Sequence, residues 1–129
     1  MDDFLPVPGL RNPHSQSLLN SSGLRRRVVM RHARKMVAAE QEWLLDGGDG
    51  VRLIGHLSKP EGVSKGTVVF FHGWEGSSRS NYVMSAGARL FDAGFEVLRF
   101  NFRDHGNSHE LNPGIFHSCR LGEVISALG

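Results

Sequence analysis

Hydrophobic and polar positions change period several times along the chain, and each period predicts an element. Trp43-Leu44-Leu45 is a short apolar run, and Val51-Arg52-Leu53-Ile54-Gly55-His56-Leu57 roughly alternates, as a half-buried strand does. Asp46-Gly47-Gly48-Asp49-Gly50 between them is a turn, since glycine tolerates positive φ and aspartate satisfies local backbone donors. Strand, glycine-rich turn and strand make a hairpin. Gly66-Thr67-Val68-Val69-Phe70-Phe71 is unbroken β-branched and aromatic sequence, the pattern of a parallel strand buried on both faces. A loop from His72 to Arg79 follows. Ser80 is placed to cap a helix running to about Ala93, with Val83, Ala86, Leu90 and Phe91 at helical spacing and Gly94 as its stop. Small residues from Ser85 to Ala88 let that helix approach a sheet closely. Phe95-Glu96-Val97-Leu98-Arg99-Phe100-Asn101-Phe102 is the next strand, so residues 66–102 form a strand–helix–strand unit.

The flanks are less regular. Residues 1–24 hold Pro6, Pro8, Pro13, Gly9 and Gly23 among Ser and Asn, which predicts irregular, extended chain. Residues 25–39 predict a basic amphipathic helix with Val29, Ala33, Met36 and Val37 on one side, without an evident cap in front of it. Arg103 to Phe116 is a polar loop, and Ser118 is placed to cap a last helix with Leu121, Val124, Ile125 and Leu128 on one face. The predicted fold class is α/β: an antiparallel hairpin leading into a parallel βαβ sheet. Only two of its four strands belong to the parallel part, which leaves the last helix little sheet to cover. The expectation is the N-terminal portion of a larger domain. It divides into a basic arm, residues 1–40, and an incomplete α/β unit, residues 41–129.

Composition adds limits. The 129 residues are 40% hydrophobic and 22% charged, ordinary globular usage that argues against a disordered chain. No apolar run approaches the roughly 18–20 residues of a membrane span. Met1-Asp2-Asp3 opens the chain without the basic and apolar regions of a secretory leader. The single cysteine, Cys119, excludes an internal disulfide and fits a reducing, cytoplasmic setting. Charge is uneven. Residues 1–39 carry seven Lys/Arg against two acids, whereas residues 40–129 carry eight against eleven. Such an arm can meet phosphates of nucleic acid or anionic lipid. The absence of Phe, Tyr and Trp from residues 5–42 speaks against stacking on nucleic-acid bases.

Two clusters carry candidate chemistry. His72-Gly73-Trp74-Glu75-Gly76 puts H-G-x-x-G at the carboxyl end of the first parallel strand, where ligand sites in open α/β sheets lie. Glycines there let backbone N–H groups face an anion. Asn101-Phe102-Arg103-Asp104-His105-Gly106-Asn107-Ser108 ends and follows the second parallel strand, on the same sheet edge. His105, His109 and His117 with Asp104 raise zinc as an alternative. Gly106 interrupts a helix between the first two, and no Cys or Glu stands at a standard ligand spacing, so the loop reads as non-metal.

Together the clusters resemble the α/β-hydrolase superfamily, whose third strand is followed by H-G-x-x-G and whose fourth by R-G-x-G-x-S or a close variant. Glu75-Gly76-Ser77-Ser78-Arg79-Ser80-Asn81-Tyr82 and Asn12-Pro13-His14-Ser15-Gln16 resemble loops of the YheT-like hydrolase subgroup. Asp104 stands where that pattern has a small residue, and Cys119-Arg120 where the subgroup has Gly-Asp. The resemblance spans roughly residues 10 to 128. It implies a serine hydrolase acting on carboxylic esters or related acyl substrates, without metal or cofactor. It assigns the Trp74 N–H to one half of an oxyanion hole, Gly73 and Gly76 to the turn that forms it, and His72 to bracing the loop. Arg103, Asp104, His105 and Gly106 belong to the second loop. The nucleophile should sit in G-x-S-x-G, which does not occur here, and the acid and base should follow it. The chain alone is therefore expected to be inactive, truncated before the nucleophile strand. Ser78 and Ser108 are not on such an elbow. The competing reading is a non-catalytic interaction module using the basic arm for nucleic acid or a protein partner.

Overall fold

The computed structural model describes residues 6–20 and 22–129, so Asp2 and Asp3 lie outside the described residues. The strands are β1 (Glu40–Asp46), β2 (Arg52–Ser58), β3 (Thr67–Phe71) and β4 (Glu96–Asn101). The α-helices are α1 (Pro13–Asn20), α2 (Gly23–His32), α3 (Arg34–Ala38), α4 (Asn81–Asp92) and α5 (Leu121–Leu128), the last preceded by a short 3₁₀ turn at Ser118–Arg120. The sheet runs β1-β2-β4-β3. β1 and β2 form the expected antiparallel hairpin, β2 pairs antiparallel with β4, and β3 pairs parallel with β4. The chain is thus an α/β protein with a mixed four-stranded sheet.

Strand order decides burial. The crossover through α4 sets β4 between β2 and β3, and every residue from Val97 to Asn101 is buried. β3, expected to be covered on both faces, is instead a partly exposed edge strand, with Phe71 41% accessible. Period two divides β4 between two layers. Val97 faces a core of Val29, Ala33, Met36, Met84 and Ala88 under α2, α3 and α4. Phe100 faces Leu53 and Val124 under α5.

The helices correct several expectations. The stretch expected to be irregular contains α1, because Asn12 and Pro13 start it. Asn12 Oδ1 accepts from the His14 N–H at 2.9 Å, and proline suits the first helical position. α2 does have a cap, the Ser22 hydroxyl accepting from the Arg25 N–H at 3.3 Å. The predicted basic helix is there but breaks at Ala33, with Val29, Ala33 and Met36 buried as expected. The packed face of α4 is Val83, Met84, Gly87 and Ala88, whereas Ala86 is exposed. A Cβ on Gly87 would lie 3.1 Å from Met36 Sδ, so this is where the helix approaches its neighbours closely. Ser80 does not cap α4 through its side chain; its Oγ accepts from the Ser77 N–H at 3.0 Å instead. On α5 only Val124 of the expected stripe is buried, and Leu121, Ile125 and Leu128 are exposed. The Ser118 side chain, offered as a cap, lies outside the described residues.

Beneath α4 a buried ion cluster ties the arm to the sheet. Arg99, wholly inaccessible, pairs with Glu40 at the start of β1. Glu40 also meets Arg79 at 2.5 Å. His56 Nδ1 lies 3.1 Å from the same carboxylate, off the angle for a hydrogen bond. Burial pushes the His56 imidazole below its ordinary pKa and outweighs the opposing pull of Glu40.

Candidate functional site

The loops after β3 and β4 meet at the carboxyl ends of these parallel neighbours. Between them is an open pocket of about 520 Å³. Trp74, Gly76, Asp104, His105 and Gly106 line it, joined by Glu75, Ser77, His109, Ile115 and Phe116. His72, Gly73 and Arg103 belong to the same two loops but do not line it.

His72 joins the two loops. Its Nε2 accepts from the Phe102 N–H at 3.2 Å. A backbone N–H can only donate, so Nδ1 carries the proton and donates to the Gly73 carbonyl at 2.9 Å. The ring is therefore neutral. Burial lowers its pKa, the Gly73 carbonyl opposes this, and His105 adds to the lowering. The loop is fixed at further points. The Gly73 N–H donates to Tyr82 Oη at 2.5 Å, and the Gly76 N–H to the Gly73 carbonyl at 2.9 Å. The Ser78 N–H donates to Asn101 Oδ1 at 2.7 Å, and the Ser78 carbonyl accepts from Arg99 at 3.4 Å. Gly76 is required by space: a Cβ there would lie 2.9 Å from the Gly73 carbonyl oxygen. The Trp74 N–H, by contrast, meets no acceptor among the described residues.

The second loop is held from within. Ser108 is wholly buried, its hydroxyl accepting from the His105 N–H at 3.1 Å and facing the His105 and Phe102 carbonyls at 2.7 and 3.2 Å. Gly106 has φ +63°, and a Cβ there would lie 2.6 Å from Asn101 Nδ2. Glu75 and Asp104, one in each loop, occupy the left-handed region at φ 54° and 59° without being glycine. Such backbone costs on the order of 1 kcal/mol or more and persists only where its surroundings enforce it. Asp104 Oδ1 accepts from His109 Nδ1 at 2.7 Å on the rim. Phe116 and His105 line the pocket and meet edge-on at 5.4 Å, an aromatic floor backed by Phe102, which stacks on Phe116 at 4.6 Å from outside the lining.

Arg103 has a different role from its loop neighbours. It is buried, forms a two-pronged pair with Glu123 at 2.7 and 3.2 Å, and donates to the Pro113 carbonyl at 2.6 Å. It anchors α5 to the loop. Burial alone would raise the Glu123 pKa; hydrogen bonds from Arg103 and Arg120 reverse this and hold it below the ordinary value. Asn112 does similar work on β2, accepting from the Arg52 N–H at 2.7 Å and donating to its carbonyl at 2.6 Å.

The sequence placed Asn101 in the second cluster without assigning it the Ser78 contact, and gave no role to Tyr82, Phe116 or Asn112. An asparagine ending a buried strand was the one available signal, since its amide needs partners there. No group of three or more His, Cys, Asp or Glu among the described residues could hold a metal ion. No helix among them is long and apolar enough to cross a membrane. The chain matches no protein-family model and no curated protein.

Proposed function

We propose that this chain supplies the oxyanion-stabilising part of a serine hydrolase of the α/β-hydrolase superfamily, acting on carboxylic esters or related acyl substrates. The observation that carries the reading is the convergence of the H-G-x-x-G loop and the Arg103–Ser108 loop on one pocket beyond two parallel strands. Negative charge grows on an acyl oxygen only in the transition state, so the donors that receive it must be fixed beforehand. The Trp74 N–H suits that task. It belongs to a pocket-lining residue, it has no acceptor among the described residues, and its loop is tied at His72, Gly73 and Ser78. The aromatic floor suits an apolar acyl group.

The nucleophile, acid and base would come from polypeptide outside these 129 residues. Ser108 has its hydroxyl committed to the loop, and Ser78 is buried with its backbone tied to Asn101 and Arg99. In the reaction, a serine Oγ attacks the acyl carbon, a histidine takes its proton, and the Trp74 N–H donates to the developing oxyanion. The residue after the nucleophile supplies the second donor. The test uses the native gene product that contains this chain. A fluorophosphonate probe should label a serine outside residues 1–129. Trp74→Gly keeps the N–H and should hydrolyse p-nitrophenyl esters nearly as the parent does. Trp74→Pro removes it and should lower kcat by about 100- to 1,000-fold. An unchanged kcat for folded Trp74→Pro, or no labelled serine, overturns the reading.

A further inference from the structure

We infer that the outward face of α2 and α3 is a docking surface for anionic lipid. The two helices form one run, continued by the Ala33 N–H to the Val29 carbonyl and the Val37 N–H to the Ala33 carbonyl, both at 2.9 Å. Its inward stripe, Val29, Ala33 and Met36, is buried against α4. That packing fixes which side looks outward. Leu24, Arg27, Arg31 and Lys35 recur at helical spacing on the opposite stripe, Val28 stands at its edge beside the α4 groove, and all are exposed. Leu24 is 70% accessible and Val28 55%.

Charge and apolar surface are thus interleaved on one rigid face. Residues 6–39 contain seven Lys/Arg and no Asp or Glu. Among the described residues no ion pair involves a residue before Glu40, so the stripe's cations are not neutralised within the chain. On one flank, beside α4, Arg25, Val28, His32, Arg89 and the Asp92 carboxylate line a groove of about 270 Å³; Asp92 disfavours a phosphate there, so the headgroups meet the open stripe and not this groove. A lipid boundary satisfies both halves of the face: headgroup phosphates meet the guanidinium groups while Leu24 and Val28 enter the acyl margin. A nucleic acid offers phosphates but no partner for the two apolar side chains. A second copy in symmetric contact would set the same cations against each other.

The experiment is vesicle flotation with the native gene product that contains this chain. Vesicles of phosphatidylcholine with roughly a third phosphatidylserine should carry the protein, and pure phosphatidylcholine should not. Each Lys or Arg near such a surface contributes about five-fold in affinity, so Arg27→Gln/Arg31→Gln/Lys35→Gln should lose on the order of 100-fold. Arg27→Lys/Arg31→Lys keeps the charge and should bind as the parent does. Leu24→Asn/Val28→Asn leaves the charge unchanged and should weaken binding about ten-fold. All these positions are exposed, and circular dichroism checks that each variant folds. Equal binding to both vesicles, or no effect of Leu24→Asn/Val28→Asn, overturns the proposal. So does tighter binding to a short DNA duplex than to the anionic vesicles, because the face would then serve nucleic acid.

Discussion

Replacing Glu40 by glutamine should destabilise the fold far more than any other single loss of charge in the buried cluster. Arg99 has no accessible surface, and Glu40 is its carboxylate partner. Unit charges about 4 Å apart attract by about 4 kcal/mol at an effective dielectric of about 20. Removing one member of a buried pair costs about 3–5 kcal/mol, because the remaining charge stays desolvated and uncompensated. The Glu40 side chain keeps 12% of its surface and the glutamine oxygen still accepts a hydrogen bond, so the lower end applies. For a domain of this size about 3 kcal/mol lowers Tm by roughly 10 °C. Arg79 is the internal control. It contacts the same carboxylate but is 38% exposed, so Arg79→Gln should cost at most about 1 kcal/mol. Adding Arg99→Met to Glu40→Gln removes the stranded cation and should recover most of the loss. Thermal unfolding followed by circular dichroism reads all of these. A Tm for Glu40→Gln within about 2 °C of the parent refutes the electrostatic account.

Two further predictions concern the buried histidines and the second loop. His56 and His72 both have folded-state pKa values below the ordinary 6.5, so the unfolded chain binds more protons once pH falls below that value. Stability should be full above about pH 6.5 and decline on acidification towards the folded values; the urea midpoint should fall across that window, and His72→Gln should flatten the fall. An unchanged slope in His72→Gln would show that its neutral form is not required. Gly106→Ala should cost about 2–3 kcal/mol, combining the left-handed φ with displacement of Asn101. It should also speed hydrogen exchange at the Ser78 amide, which Asn101 holds; unaltered exchange there would separate the two loops mechanically.

What the sequence revealed depended on how local each cause was. The hairpin, the β3–α4–β4 unit and the buried stripe Val29, Ala33 and Met36 were legible because turn chemistry and periodicity act over a few residues. The order β1-β2-β4-β3 was not legible, since pairing across the sheet leaves no mark in neighbouring positions. That is why β3 was expected to be buried on both faces, although the crossover puts β4 inside it. α1 was missed because its prolines drew the reading towards extended chain, when Pro13 stands at the helix start and Asn12 caps it. The loops were found from their glycines and histidines. Their anchoring contacts were not, because Asn101, Arg99 and Tyr82 reach the loop from other elements; Asn101 alone carried a signal, as an amide ending a buried strand, and Arg99 and Tyr82 look like ordinary strand and helix residues.

Those anchors explain why the pocket loop can be rigid without a ligand. β4 alternates, and each side of the alternation has its own task. Arg99 and Asn101 point towards α4 and grip the Ser78 carbonyl and N–H. Phe102, just beyond the strand, offers its N–H to His72 and its ring to Phe116. A single strand and the residue that follows it thus fix the loop before Trp74 and after it, and Phe102 also backs the Phe116 ring that lines the pocket. Of the residues between those fixed points, Glu75 accepts a left-handed conformation and Gly76 leaves no room for a side chain. If the Trp74 N–H receives an oxyanion as proposed, reorganising the loop when charge develops would forfeit part of what that donor contributes. Holding the loop from a buried strand confines that cost to folding, so on the proposed reading changes at Asn101 or His72 should lower kcat through the position of the Trp74 N–H and leave substrate binding largely unchanged.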